Sequence, residues 1–199
     1  MGPAVPAPGE EPILADLSAV GYEVGSLADL RDSGVRYREA VPVLVGWLGR
    51  VSDRKTKEQI VRALSVPWAK PFATEPLIRE FTELTTAVDP TGSLRWATGN
   101  ALWVVFDDDH FDAVAELAGD RRYGEARQMV VLALAKSKKP EAVDVLLSLV
   151  EDSDVDGHAV QALAKLKAPA ARTAFDSKLD DRRAWVRNQA RKGLKSLST

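Results

Sequence analysis

Arg127-Gln128-Met129-Val130-Val131-Leu132-Ala133-Leu134 has two close counterparts elsewhere in the chain. They are Arg95-Trp96-Ala97-Thr98-Gly99-Asn100-Ala101-Leu102 and Arg187-Asn188-Gln189-Ala190-Arg191-Lys192-Gly193-Leu194. Lys57 to Leu64 and Asp156 to Leu163 repeat the phrase with weaker likeness. The equivalent leucines at positions 64, 102, 134, 163 and 194 are therefore 38, 32, 29 and 31 residues apart. A period near 30 residues carrying helical phrasing marks an array in which each unit buries its apolar face only against its neighbours. The expected fold is all-α, an α-solenoid of about five to six antiparallel helix pairs.

The rest of the chain falls into register around that phrase. First helices are expected at roughly 54 to 66, 93 to 106, 125 to 137, 154 to 166 and 183 to 197, and second helices at roughly 37 to 50, 74 to 87, 109 to 118, 140 to 151 and 169 to 180. Pro76, Pro140 and Pro169 each sit in the first turn of a second helix, where a missing N–H costs nothing. Pro12 opens an earlier helix that ends at Gly21, and Ser26 with Asp29 forms a capping-box pattern for a short helix through Leu30. The stripe Val41, Leu44, Val45, Leu48 matches Val143, Leu146, Leu147, Val150. No run alternates with the period of two that a half-buried strand needs. Residues 1–9 form a Pro/Ala/Gly tail expected to be disordered, and residues 10–199 are expected to form a single solenoid domain.

Composition narrows the function classes. Lys and Arg number 27 against 29 Asp and Glu, so no global field draws the chain onto nucleic acid or anionic lipid. The absence of cysteine excludes disulfides, thiolate metal sites and a cysteine nucleophile, and it suits a cytoplasmic location. There is no signal peptide pattern and no stretch of 18 uninterrupted apolar residues, so a membrane partner is not expected. At 199 residues and 45% hydrophobic content the chain has ample material for a continuous core.

The phrase Asp/x-x-x-Val/Ala-Arg-x-x-Ala-x-x-Ala-Leu resembles HEAT repeats, particularly the short bacterial HEAT-like repeats of phycobilin lyases. Ala126-Arg127 and Val186-Arg187 carry the first half of the resemblance, and Ala101-Leu102, Ala133-Leu134, Ala162-Leu163 and Gly193-Leu194 the second. It covers about residues 36 to 197. The resemblance implies a right-handed superhelix whose second helices line a concave, ligand-binding face.

Lys57, Arg95, Arg127 and Arg187 occupy one repeat position, which Asp156 breaks. They are expected to form a structural ladder paired with Asp89, Asp120 and Asp181, six or seven residues upstream, because buried arginine is normally paired. Trp96, Asn100, Trp103 and Asp107 are spaced to share one helical face, where two indoles could wall a pocket for a flat ligand or pack against the next repeat. Trp68 and Phe72, in the inserted segment Val66-Pro67-Trp68-Ala69-Lys70-Pro71-Phe72, form either an exposed apolar knob or a plug folded back between repeats. Asp120-Arg121-Arg122-Tyr123-Gly124 makes a basic turn with an aromatic. Trp47 and Trp185 are expected to be packing residues.

The acidic segments have simpler explanations than metal binding. Asp107-Asp108-Asp109-His110-x-Asp112 reads as a helix end followed by an N-capping aspartate and an acidic first turn. Asp152-x-Asp154-x-Asp156-Gly157 opens like a calcium loop, but Leu163 stands where the bidentate glutamate belongs. His110 and His158 are the only histidines, and neither belongs to a visible catalytic constellation. The cations Arg182, Arg183, Arg187, Arg191, Lys192 and Lys195 of the last helix suit a polar terminal face.

These features favour a non-enzymatic scaffold without catalytic, metal or cofactor residues, holding a protein partner through Trp68, Phe72, Arg121, Arg122, Arg127, Trp96 and Trp103. The family resemblance offers two alternatives: an alkylpurine glycosylase-like DNA-repair protein using Trp96, Trp103 and Asp107, and a bilin lyase or chaperone.

Overall fold

The computed structural model describes residues 9–198, so the tail assigned to residues 1–9 lies, apart from Gly9, outside the described residues. Every regular element among them is helical. In chain order these are α1 (Glu11–Ala19), α2 (Leu27–Asp32), α3 (Ala40–Leu48), α4 (Arg54–Leu64), α5 (Thr74–Glu83), α6 (Ser93–Val105), α7 (Phe111–Gly119), α8 (Gln128–Ala133), α9 (Glu141–Ser148), α10 (Asp156–Leu166), α11 (Arg172–Ser177) and α12 (Ala184–Ser196). Short 3-10 turns complete several of them. The chain clusters into two compact units that divide between Val105 and Phe106.

Local chemistry sets the ends of the helices. Ser26 accepts the Asp29 N–H at 3.0 Å and starts α2 as the capping pattern requires. Asp53 does the same for α4, accepting the Thr56 N–H at 2.8 Å. Pro12 occupies the first turn of α1 and Pro76 that of α5, Pro140 precedes the first residue of α9, and Pro169 opens the 3-10 turn that leads into α11. The helix expected over 125 to 137 is shorter than its repeats. Gly124 takes φ 50° and ψ −138°, a backbone state that glycine alone adopts freely, and breaks the helical path just before this segment, in which regular α-helix is limited to α8 with 3-10 turns on either side.

In the first unit α2 packs on α4 and α4 on α6, while α1 packs on α3 and α3 on α5. Like helices thus stack on like. α1 and α2 thus each extend one of the two rows, although they pack on each other far less than the helices of the later pairs do. The second unit repeats the scheme, with α8, α10 and α12 in one row and α7 and α9 in the other, where α9 meets the 3-10 turn at Pro169–Ala171 that leads into α11. Leu64, Leu102, Leu134 and Leu163 of the repeat phrase are all fully buried. Leu194 of α12, which packs chiefly on α10 and α11, is half-buried. No helix among the described residues is long and apolar enough to cross a membrane.

Glycine permits one unusually close contact in the second unit. A Cβ on Gly193 of α12 would lie 2.6 to 2.7 Å from three ring atoms of Phe175, which is wholly buried. The repeat phrase carries alanine at the matching positions 101, 133 and 162. The substitution by glycine is what lets an aromatic ring fill the space between α11 and α12.

Candidate functional site

The basic ladder is structural, and its chemistry differs from the expected pairing. The last carbonyls of a helix have no partner within it, and a cation placed there satisfies them and meets the negative end of the helix dipole. Arg95 donates to the carbonyls of Phe81 and Leu84 at the end of α5. Arg127 donates to the Ala118 carbonyl near the end of α7 at 2.9 Å and to the Gly124 carbonyl at 3.0 Å. Arg187 bonds the Asp181 and Arg182 carbonyls at 2.7 and 3.1 Å. The upstream acids have other tasks. Asp89 accepts the backbone N–H of Arg95, Asp120 pairs with Arg122, and Asp181 pairs with Arg183.

Arg127 is 0% exposed, and its remaining Nη2 meets Asp152 at 3.0 Å and Asp154 at 3.6 Å. The structure therefore places it in the interior of the second unit, away from any surface a partner could touch. Where Asp156 breaks the series, the polarity of the pair inverts. Its buried carboxylate accepts Lys178 Nζ at 2.8 Å and both Nη atoms of Arg183 at 2.8 and 2.6 Å. Burial pushes the Asp156 carboxyl up, but these cations and the Gly157 N–H outweigh it and hold it below the usual carboxylate range.

The other predicted residues are scattered. Trp68 turns inward and meets Tyr37 edge-on at 5.4 Å, while Phe72 of the same insertion stands 63% exposed. Each of the two readings of that segment thus holds for one aromatic. Arg121 and Arg122 are exposed but paired, with Asp152 at 3.4 Å and Asp120 at 2.5 Å, so the basic turn carries its own counter-ions. Trp96 is exposed and Trp103 half-buried. Asp107 does not share their helix. It follows the end of α6, caps a 3-10 turn and holds His110 Nδ1 at 2.6 Å. Asp108 accepts the Ser137 hydroxyl and the Lys138 N–H, so the acidic run is engaged in closing helix ends. Among the described residues no group of three metal-ligating side chains converges.

A site that the repeat phrase does not announce lies in the second unit. The N-terminal ends of α8, α10 and α12 frame a cleft of about 500 Å³, within the range of ligand sites. Its centre is Trp185, 40% exposed at the start of α12. A Cβ on Gly157 would fall 2.4 Å from the Trp185 ring, so glycine in the first turn of α10 is the condition for the indole to lie across that helix. His158 sits 5.2 Å from the indole between ring centroids, tilted by 58°. Gln128 and Gln161 add amides, and Glu125 and Arg182 charge the rim with opposite signs.

Two overlapping matches to the HEAT-repeat profile cover residues 78–157 and 112–195. The chain belongs to the HEAT-repeat family. The expected all-helical solenoid is thereby established for this HEAT-repeat protein, while the closer resemblance to phycobilin-lyase repeats rests on the repeat phrase alone. No curated protein matches the chain. The cleft at Trp185 lies within the region the profile covers, but no repeat consensus points to it. Trp185 has Ser93 as its counterpart in the α6 phrase, and the sequence signal that marks it is Gly157, one residue past the aspartate that breaks the ladder.

Burial lowers the His158 pKa from 6.5, with Arg183 adding to the shift and Asp156 opposing it. Its folded pKa is therefore below the unfolded one, so as pH falls the unfolded chain takes up the proton first. Stability is expected to be full above about pH 6.5 and to decline through the folded pKa. Urea midpoints between pH 7.5 and 5 should fall in the native protein and stay flatter in His158→Gln. A separate loss is expected below about pH 4, where Asp156 and Asp181, both held low by Arg183, take up protons.

Proposed function

We propose that this HEAT-repeat protein is a binding scaffold and that the Trp185 cleft holds an extended segment of a partner protein. The observation that carries the proposal is the exposed indole fixed in place by Gly157 and flanked by His158. Tryptophan offers a large contact area with little rotamer entropy to lose, and it is over-represented among residues that dominate binding energy. Around it, Gln128 and Gln161 suit the N–H and C=O groups of a peptide backbone, and Glu125 and Arg182 would select the charges at its two ends. HEAT repeats supply the rigid rows of helices on which such a cleft rests.

The DNA-repair alternative has less support, because Lys and Arg number 27 against 29 Asp and Glu and binding to DNA relies on neutralising several phosphates. The test is capture from nuclease-treated native lysate with tagged wild-type protein and Trp185→Ala side by side. A protein retained by the wild type should be reduced roughly thirtyfold by the substitution, the loss of about 2 kcal/mol typical of such an anchor. Equal recovery by both baits would remove the cleft from the proposal.

A further inference from the structure

The first unit contains a second recess, and its chemistry differs from that of the Trp185 cleft. The stacked helices α2, α4 and α6 frame about 340 Å³. Arg31 enters from the last turn of α2, Arg62 and Ser65 from the end of α4, and Trp96 and Asn100 from the first half of α6. Ala97 completes the lining, so none of the lining residues is acidic. The two arginines differ in an informative way. Arg62 is neutralised by Glu58, which accepts its Nε and Nη2 at 3.0 and 2.7 Å. Arg31 donates Nη1 to the Gln59 amide oxygen at 2.8 Å and has no ion pair among the described residues. A neutral partner therefore orients the Arg31 guanidinium without cancelling its charge.

Trp96 supplies the other half of the site. It is 48% exposed on a helix whose next three residues, Ala97, Thr98 and Gly99, are buried. One turn further on, the Asn100 side-chain amide donates to the Trp96 carbonyl at 3.0 Å, which leaves the amide oxygen as an acceptor. An exposed indole face, an uncancelled guanidinium, an amide and a hydroxyl thus line one small recess without a carboxylate. Stacking and charge pairing act together on one kind of molecule, a flat ring that carries an anionic group.

We propose that this recess binds a small planar aromatic anion, with its ring on the Trp96 indole and its phosphate or carboxylate on Arg31. The site is independent of the protein-binding cleft and does not rest on it. Titration of the ¹⁵N-labelled protein with phenyl phosphate and with benzoate tests it, the Trp96 indole N–H being the reporter. A saturable shift is expected, and the tighter of the two compounds identifies the anion preferred. Trp96→Leu, followed through the side-chain amide signals of Asn100, and Arg31→Gln should each weaken binding about tenfold, the equivalent of one stacking or charge contact. Both replace side chains that are not part of the core, and the amide spectrum of each variant confirms the fold. Phenol and inorganic phosphate, each lacking half of the chemistry, should bind at least tenfold more weakly than phenyl phosphate. Absence of a saturable shift at Trp96, binding unaffected by both substitutions, or equal binding of inorganic phosphate would overturn the proposal.

Discussion

Replacement of Arg127 by alanine should lower the stability of the protein by about 3–5 kcal/mol, the largest loss expected for any charged residue in the chain. The guanidinium is 0% exposed and joins the end of α7, the turn at Gly124 and the acid Asp152. Its removal takes from the buried Asp152 carboxylate its closer cation, leaving only the exposed Arg121 at 3.4 Å, and leaves the Ala118 carbonyl without the donor that reached it. Each is a desolvated polar group that water in the unfolded chain would satisfy. Arg122, bonded locally to Asp120 on the surface, is the internal control, and Arg122→Ala should leave the urea midpoint close to the wild-type value. Urea unfolding of the two variants against wild type measures both. Equal, small effects would show that the ladder position is not a structural joint.

The second large effect concerns the contact between α11 and α12. Phe175→Ala should cost about 3–5 kcal/mol, because it empties a fully buried site whose neighbours are helix backbones with little room to close in. Gly193→Ala should cost about 1–3 kcal/mol by the opposite route, forcing a methyl group into the Phe175 ring. The two changes are coupled. In the double variant the added methyl occupies part of the space the ring vacated, so the combined loss should be smaller than the sum of the separate ones. Additive losses in urea unfolding would show that Gly193 has no steric relation to Phe175.

Much of the fold was legible because a repeat states its rule several times. Leu64, Leu102, Leu134 and Leu163 are all buried, as their common position requires, and the prolines at 76 and 140 mark helix starts. The element that departed most, the helix around 125 to 137, is helical over its expected length but mixes a short α-helix with 3-10 turns, a distinction that the repeat phrase does not announce. The ladder arginines were recognisable as structural, yet their carbonyl partners were not, since a carbonyl has no letter in a sequence. Asp89, Asp120 and Asp181 stood at plausible distances along the chain and drew the pairing to themselves.

The candidate site was harder to see for a related reason. Trp185 reads as a packing residue because an aromatic at a helix start usually is one. Its exposure depends on Gly157, which lies on another helix and 28 positions earlier in the chain. Likewise Trp96 could have belonged to a core or a pocket, and only the lining brought from α2 and α4 shows what accompanies it. A solenoid makes its surface from side chains one repeat apart, and these do not form a motif that adjacent letters can spell.

Site-specific photo-crosslinking in cells tests most directly whether a protein partner occupies the proposed cleft. A photoreactive amino acid at Gln161, within the Trp185 cleft, is compared with one at the exposed Asp176 of α11. The scaffold proposal predicts a discrete protein adduct at position 161 that is absent at 176 and lost when Trp185 is also changed to alanine. Adducts of equal yield at both positions, or an adduct at 161 that persists without the indole, would contradict it.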